Sequence, residues 1–500
     1  MQTDPRSAAT CLIFTLLLSL SSSSPLPSTP PTVCIIGSGI GGSSVAHFLR
    51  RYTTSNPHNV TVGQIRIFER NGHVGGRMAT VTIAGETFEA GGSILHPKNY
   101  HALEFAKLLN LTVKNPPSSS KCLSLGIWNG DKFLFETFWT NSGYSIVRRF
   151  FSLANSVKMF LRYGRSLLRM SHLVEDTLGR FLKYYEAFES RPVFESVEEM
   201  LKWAGLYDLT AETLEEELLR AGLSPLLIQE LITVITRINY GQSVSISGLA
   251  GTVSLAGSGG GLWSIEGGNW QMAAGLINQS NIVLHLNEEI KSLSNNAGLY
   301  ELNSSSGGSY TCHVAVIATP LDEVNLKFTP SVSVPKRKLQ HTFATFVRGC
   351  LNPDFFGLRR VSDIPELIGT TETSRVPFSS IGTLKQHNEE DMTYKVFSRQ
   401  PLSEDLLDEI FRVRNETIRI NWAAYPQYHA PERFAPLVLD QSHLYYVNAF
   451  ENAASTMETS AVSAENVARL IISRLSSHSL SFTSDLKSLD NHKQQLHSDL

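Results

Sequence analysis

The sequence predicts an α/β protein: a Rossmann-like dinucleotide-binding domain assembled from discontinuous segments, plus a substrate domain with a mixed sheet and a helical insertion. Three observations predict it. An apolar strand, Thr32 to Ile36, runs into Gly37-Ser38-Gly39-Ile40-Gly41-Gly42 at the start of a helix, Ile40 to Thr53. A second strand, Gln64 to Phe68, ends on the acid Glu69. Far downstream the apolar run Val314 to Ile317, and a strand from Leu444 followed by a helix from Thr456 to Ser473, extend the same pattern.

A chain of 500 residues with 42% hydrophobic content can build more than one core, which suits roughly two domains. Its formal net charge of −3 lacks the basic excess of nucleic-acid-binding proteins, so no nucleic-acid partner is expected.

Taken in order, residues 1–28 read as a signal peptide: a short apolar run, Cys11 to Leu20, followed by small and proline-rich residues. That run is shorter than the roughly 20 residues a membrane span needs. Residues 32–105, 236–330 and 436–475 are assigned to the dinucleotide-binding domain, 106–235 and 331–435 to the substrate domain, and 476–500 to a polar tail. Within the substrate domain, 145–235 has few glycines and long amphipathic stretches such as Leu226 to Ile238, the mark of a helical insertion. Residues 331–435 are weakly periodic and are assigned to a second sheet-containing region.

Asn59, Asn110, Asn278, Asn303 and Asn415 each open an Asn-x-Ser/Thr acceptor site for glycosylation, compatible with a lumenal protein. Beyond the leader, Cys34, Cys122, Cys312 and Cys350 are widely spaced, two of them inside apolar strands. They are expected to be small buried hydrophobes rather than a disulfide framework.

The chemistry concentrates in the glycine loops. Gly37 permits the tight turn, Gly39 leaves room for pyrophosphate, and Gly42 lets helix pack on strand, while the helix start offers free N–H groups to phosphate. Glu69 can accept hydrogen bonds from a ribose diol and would repel a phosphorylated ribose. Next comes Glu69-Arg70-Asn71-Gly72-His73-Val74-Gly75-Gly76-Arg77-Met78. This segment resembles the amine-oxidase and phytoene-desaturase superfamily, which implies FAD as cofactor, with Gly76 and the Arg77 guanidinium reaching its pyrophosphate.

Phe88-Glu89-Ala90-Gly91-Gly92-Ser93 resembles the superfamily segment that passes close to the flavin, giving Gly92 and Ser93 as contacts. The stretch from Asn448 to Val462 resembles its C-terminal signature, in which Glu451 matches the acid on the ribityl chain and Met457 the helix start at the pyrimidine edge. Thr459 and Ser460 stand where relatives often carry glycine.

Within that superfamily the chain most resembles the prenylcysteine oxidase family, including its farnesylcysteine lyase members, on Glu89 to Asn99, Arg237-Ile238-Asn239-Tyr240-Gly241-Gln242 and Ser455 to Ala461. The resemblance implies oxidation of the thioether in S-farnesyl- or S-geranylgeranyl-cysteine, with O2 and water consumed, to cysteine, a prenyl aldehyde and hydrogen peroxide. It also implies a place on the secretory route, lysosome or vacuole first. An amine or polyene oxidoreductase would share every cofactor motif, and a non-catalytic secreted flavoprotein or lipid carrier would share the fold.

His96 is the candidate for a catalytic side chain, although a lone His is more often a structural hydrogen-bonding residue. The glycine-rich stretch Gly257 to Asn269 either admits substrate or forms a plain loop. Between Arg148 and Arg169 a helical reading puts Lys158, Arg162, Arg165 and Arg169 on one stripe and Phe160, Tyr163, Leu167 and Met170 on another. Residues 145–170 are therefore a candidate for peripheral membrane contact, against the plainer and favoured reading of a domain-surface helix with solvated charges.

Overall fold

The computed structural model describes residues 30–55, 60–114, 124–138, 145–186 and 191–476. The leader, the tail beyond residue 476, Cys122 and Asn59 lie outside them. Four short apolar residues, Val33–Ile36, start the central sheet, because a strand covered on both faces needs no polar alternation. That sheet is five-stranded in the order Leu444–Tyr446, Val314–Ile317, Val33–Ile36, Ile65–Phe68, Val283–His285, with every pairing parallel. Its strands come from three distant stretches of chain, in agreement with the predicted class.

The helices Ile40–Ser55 and Trp270–Gln279 pack against each other over this layer, and the helix over residues 457–476 buries a run from Ala461 to Leu475 in the same core. A four-stranded meander, in the order Ser309–Cys312, Leu299–Ser304, Ile290–Asn296, Lys327–Thr329, adjoins it.

The second layer is a seven-stranded sheet in the order Phe411–Pro426, Leu339–Leu351, Met392–Ser398, Ser380–Gln386, Leu367–Thr370, Leu125–Trp128, Phe133–Glu136. The pairing of its two longest strands shifts register near Gln340, Arg348 and Cys350. Such bulges break period-two alternation, which is why residues 331–435 look weakly periodic in sequence.

Helices fill the insertion and run further than the sequence suggests, through Gly248–Ala256 up to the start of the glycine-rich stretch. Two expectations are corrected. Cys34 and Cys312 form a disulfide across 278 residues of sequence, while Cys350 is a buried free thiol. The parallel pairing of Val33 with Val314 sets the first strand beside the end of the meander, which brings the two sulfurs together.

The charged stripe is the second correction. Gly164, at φ +60°, separates a helix Ser145–Tyr163 from a helix Ser166–Phe181, so no stripe runs unbroken from Lys158 to Arg169. Lys158 Nζ donates to Glu136 O at 2.5 Å and sits 4.5 Å from the Phe138 ring. Arg162 grips both carboxylate oxygens of buried Glu230, at 2.7 and 2.6 Å. Arg169 donates to Gly222 O. Tyr163 is buried, and Leu167 and Met170 pack against the insertion core as expected of an inner face, but Phe160 points out. The outward ridge is apolar: Phe150, Leu153, Val157, Phe160, Leu161 and Leu168. No helix among the described residues is long and apolar enough to cross a membrane.

Candidate dinucleotide and substrate site

The cradle is built from backbone. Gly37 has φ +110°, and a Cβ there would lie 2.5 Å from Ala318 O. A Cβ on Gly42 would lie 2.0 Å from Gly37 O, so this position admits no side chain. Gly39 differs: its Cβ would meet nothing closer than 3.8 Å, at Gly75 O and the Gly76 Cα, an ordinary van der Waals contact. The loop after the second strand closes the cradle, with Gly75 N donating to Ser38 O at 3.2 Å and Gly76 at φ +58°.

Glu69 is buried and locks the two loops together. Its Oε2 accepts from Ser38 N (3.1 Å) and Ser38 Oγ (2.7 Å); its Oε1 accepts from Asn71 N (2.9 Å) and Asn71 Nδ2 (2.8 Å). The acid therefore braces the glycine turn from the end of the second strand.

The structure brings Arg77 and Glu451 together, although 374 residues separate them. Arg77 pairs with Glu451 and donates to Ala424 O at 2.8 Å. Glu451 is buried and also accepts from Asn448 Nδ2 (2.8 Å) and Arg337 Nη2 (3.3 Å). Burial works against its charge, yet the Arg77 and Arg337 guanidiniums hold its carboxyl below the usual carboxylate range. Arg337 is anchored in turn by Asp322, at 2.9 and 2.8 Å. Arg337 and Asp322 have no sequence signal of their own and emerge only when the strands assemble, while Asn448 opens the C-terminal signature without a role assigned to it there.

At the helix start, Thr456 and Thr459 cap each other: Thr459 N donates to Thr456 Oγ1 (3.0 Å) and Thr456 N to Thr459 Oγ1 (2.9 Å). That reciprocal cap explains a threonine where relatives often carry glycine. Met457 follows, with its Sδ 3.5 Å from where a Gly92 Cβ would stand.

The Gly91–Gly92 loop is tied down by Asn269, which is fully buried. Its N–H donates to Glu89 Oε1 (2.6 Å) and its Nδ2 to Gly92 O (2.9 Å). Trp263 and Leu95 exchange backbone hydrogen bonds at 2.8 and 2.9 Å, so the stretch Gly257 to Asn269 is fastened to this loop at its end. Ser93 Oγ donates to Gly91 O at 2.7 Å. His96 Nδ1 accepts from Lys98 N at 3.1 Å inside its own turn, and burial, then Lys98, lowers the proton affinity of its ring. These contacts fit a structural role.

A wall of aromatic rings stands beside the C-terminal signature. Tyr240 lies 4.8 Å from Tyr425 and 5.1 Å from Tyr428 between ring centroids. Tyr240 OH donates to Ser455 O (3.2 Å) and Ser455 N to Tyr428 OH (2.8 Å). The block Arg237–Gln242 thus meets the helix-start segment in space, with Arg237 buried against Thr370, Glu372 and Phe378 O.

Two features fit a bound dinucleotide. The side-chain-free Gly39 and Gly76 backbones meet at the helix start, the kind of surface a phosphate group can approach. Asn448 Oδ1, buried beside Glu451, has no hydrogen-bond partner in the protein, as expected of an acceptor reserved for a ligand hydroxyl.

Sheet order, glycine cradle and helix-start site define a two-layer protein with a Rossmann-like dinucleotide-binding domain. A family profile for the NAD(P)-binding Rossmann-like domain matches residues 35–109. Solved structures share the architecture: putrescine oxidase, at TM-score 0.56 and 13% identity over 90% of this chain and all of that one, and cyclohexylamine oxidase from Brevibacterium oxydans, at TM-score 0.56 and 16% identity over 89% of this chain and 100% of that one.

The chain belongs to the prenylcysteine lyase family, whose profile matches residues 147–484. It is 60% identical to the farnesylcysteine lyase of Arabidopsis thaliana over 94% of its own length and 93% of the relative's. It is 34% identical to prenylcysteine oxidase 1 of Homo sapiens over 91% of each chain.

Proposed function

We propose that the protein is an FAD-dependent oxidase that cleaves the thioether of S-prenyl-L-cysteine, with O2 as electron acceptor. The carrying observation is 60% identity with a farnesylcysteine lyase over 94% of the chain, which keeps the glycine cradle. FAD, when bound, supplies the two-electron acceptor for a C–H bond that is both allylic and next to sulfur. Removal of hydride from that carbon leaves a cation shared by sulfur and the double bond. Water adds to it, and the resulting thiohemiacetal collapses to cysteine and a prenyl aldehyde, while O2 takes the electrons and two protons to become hydrogen peroxide.

This chain's own residues bind, orient and exclude water. Gly39, Gly76 and Arg77 would hold the pyrophosphate, Glu69 the adenosine ribose, Glu451 with Asn448 the ribityl hydroxyls, and the helix start at Met457 the pyrimidine edge. Gly92 and Ser93 would line the ring. Tyr425, partly exposed and backed by the buried rings of Tyr240 and Tyr428, offers apolar surface of the kind a prenyl chain needs.

A lipidic substrate arrives from a bilayer, and the ridge of Phe150, Leu153, Val157, Phe160, Leu161 and Leu168, flanked by exposed Arg149 and Arg165, is the surface we assign to that contact. The secretory leader, the Cys34–Cys312 disulfide and exposed acceptor sites at Asn110, Asn278 and Asn415 support a lumenal compartment, lysosome or vacuole first.

Product analysis tests the reaction. With S-farnesyl-L-cysteine in oxygen-18 water, the protein should release cysteine, farnesal and peroxide in equal amounts. Label should appear in the aldehyde and not in the peroxide. Unlabelled aldehyde would remove water addition from the account, and absence of thioether cleavage would remove the function.

A further inference from the structure

The loop Glu89–Gly92 has every backbone carbonyl held by a side chain. Lys395 Nζ donates to Glu89 O (2.9 Å), Trp422 Nε1 to Ala90 O (2.9 Å), Ser93 Oγ to Gly91 O (2.7 Å) and Asn269 Nδ2 to Gly92 O (2.9 Å). On the donor side, Ala90 N reaches Ala79 O (2.8 Å) and Gly92 N reaches Arg77 O (2.9 Å). Three of the four side-chain holders are neutral; Lys395 is charged. It reaches over from the strand Met392–Ser398 of the seven-stranded sheet and is buried. Its Nζ also donates to Ser93 Oγ (3.2 Å) and lies 4.6 Å from the Phe397 ring centroid and 5.6 Å from that of Phe346.

No carboxylate among the described residues forms an ion pair with this ammonium. Glu89 faces it at longer range, with Oε1 taken by Asn269 N and Oε2 buried and unpartnered. Lys114 is the further charge that Glu89 feels. A buried ammonium without an ion-paired carboxylate is costly, and a neutral donor would hold Glu89 O equally well, as Trp422 and Asn269 hold its neighbours. The charge itself therefore needs a use.

We propose that Lys395 is a positioning residue for the cofactor: it braces the Glu89–Ser93 loop and fixes a positive charge behind the glycines that face the flavin, with Glu89 as the buried group that tunes it. The proposal rests on the flavin reading above. Two electrons arriving on the ring bring negative charge, and a fixed cation in a site closed to water stabilises that charge without reorganisation. Burial lowers the Lys395 ammonium to about 8 and raises the Glu89 carboxyl to about 7. The cation is thus present below pH 8 and fades above it.

Sulfite provides a readout independent of turnover, since it bleaches oxidised flavin by adding to the ring and binds more tightly where positive charge lies near. The FAD-loaded protein is titrated with sulfite from pH 6.5 to 9.5, corrected for sulfite's own ionisation. Affinity in the unaltered protein should fall as pH rises through about 8. Lys395→Met should bind sulfite about tenfold more weakly at pH 7, with no such fall, as expected for loss of one screened charge. Lys395→Arg should bind tightly and lose the fall, which a merely structural role for Lys395 would not produce. A flat profile in the unaltered protein, or Lys395→Met with unaltered affinity and slope, overturns the proposal. If Lys395→Met fails to fold, the Arg variant and the unaltered profile still decide. Protein that never holds FAD would instead overturn the flavin reading, a different failure.

Discussion

In the layer that carries Gly37, Gly42, Gly75 and Gly91, an added methyl group has nowhere to go: its nearest neighbours are backbone carbonyls at 2.5, 2.0, 2.6 and 2.0 Å. In the helical insertion, Phe150, Leu153 and Leu161 stand 67%, 65% and 81% exposed, while the cations Lys158 and Arg162 turn inward. One region is specified by what the backbone must leave out, the other by what the surface leaves uncovered. The contrast shows that the glycine cradle is a steric object, whereas the apolar ridge is marked by the side chains it leaves exposed.

The largest effect should follow from breaking the steric region. Gly42→Ala puts a Cβ against a carbonyl at the heart of the cradle, and it should cost about 3 kcal/mol or more and yield colourless protein. Flavin content and thermal melting check this; a yellow, fully stable variant would show that the loop yields.

An intermediate effect comes from Glu89, at the joint between the two layers. Its carboxyl is raised to about 7, first by burial, so the folded protein keeps a proton that the unfolded chain releases near 4.5. That contribution is complete below about pH 4.5 and is lost as pH rises through 7. Glu89→Gln should therefore match the unaltered protein near pH 4.5 and exceed it at pH 8 by up to about 3 kcal/mol, read from melts at both pH values. A constant difference across that range would contradict the shift.

The smallest effect on stability is expected in the ridge. Phe150→Ser with Leu161→Ser should leave melting within about 0.5 kcal/mol, because both side chains are already in water. Sedimentation with phosphatidylserine-containing vesicles should fall several-fold, while flavin content stays unchanged. Undiminished vesicle binding would remove the ridge from the account.

Legibility in the sequence follows the same division. Gly37, Gly39, Gly42 and Glu69 could be read because their reason is local: a turn, a helix start, a strand end; Gly76 was assigned through family resemblance. The Cys34–Cys312 pairing was hidden, since it depends on which strands lie parallel. Arg162 looked like surface charge because its partner, Glu230, sits 68 residues away in a π-helical turn, Ile228–Ile232. Lys395 lay in a region whose bulged neighbours mask the strand period, and its burial is set by Phe346 and Phe397 on the assembled sheet. Met457 and Gly92 could be assigned through family resemblance, and the fold adds their meeting in space.

The central claim is that this cradle holds FAD and passes it the electrons of a prenylcysteine thioether. Anaerobic mixing of the FAD-loaded protein with S-farnesyl-L-cysteine, followed by the visible absorbance of the oxidised flavin, tests it most directly. The account predicts bleaching within the mixing series, then recovery of the yellow colour with peroxide and farnesal once oxygen is admitted. A flavin that stays oxidised under saturating substrate would contradict it and direct attention to amines, polyenes or a carrier without turnover.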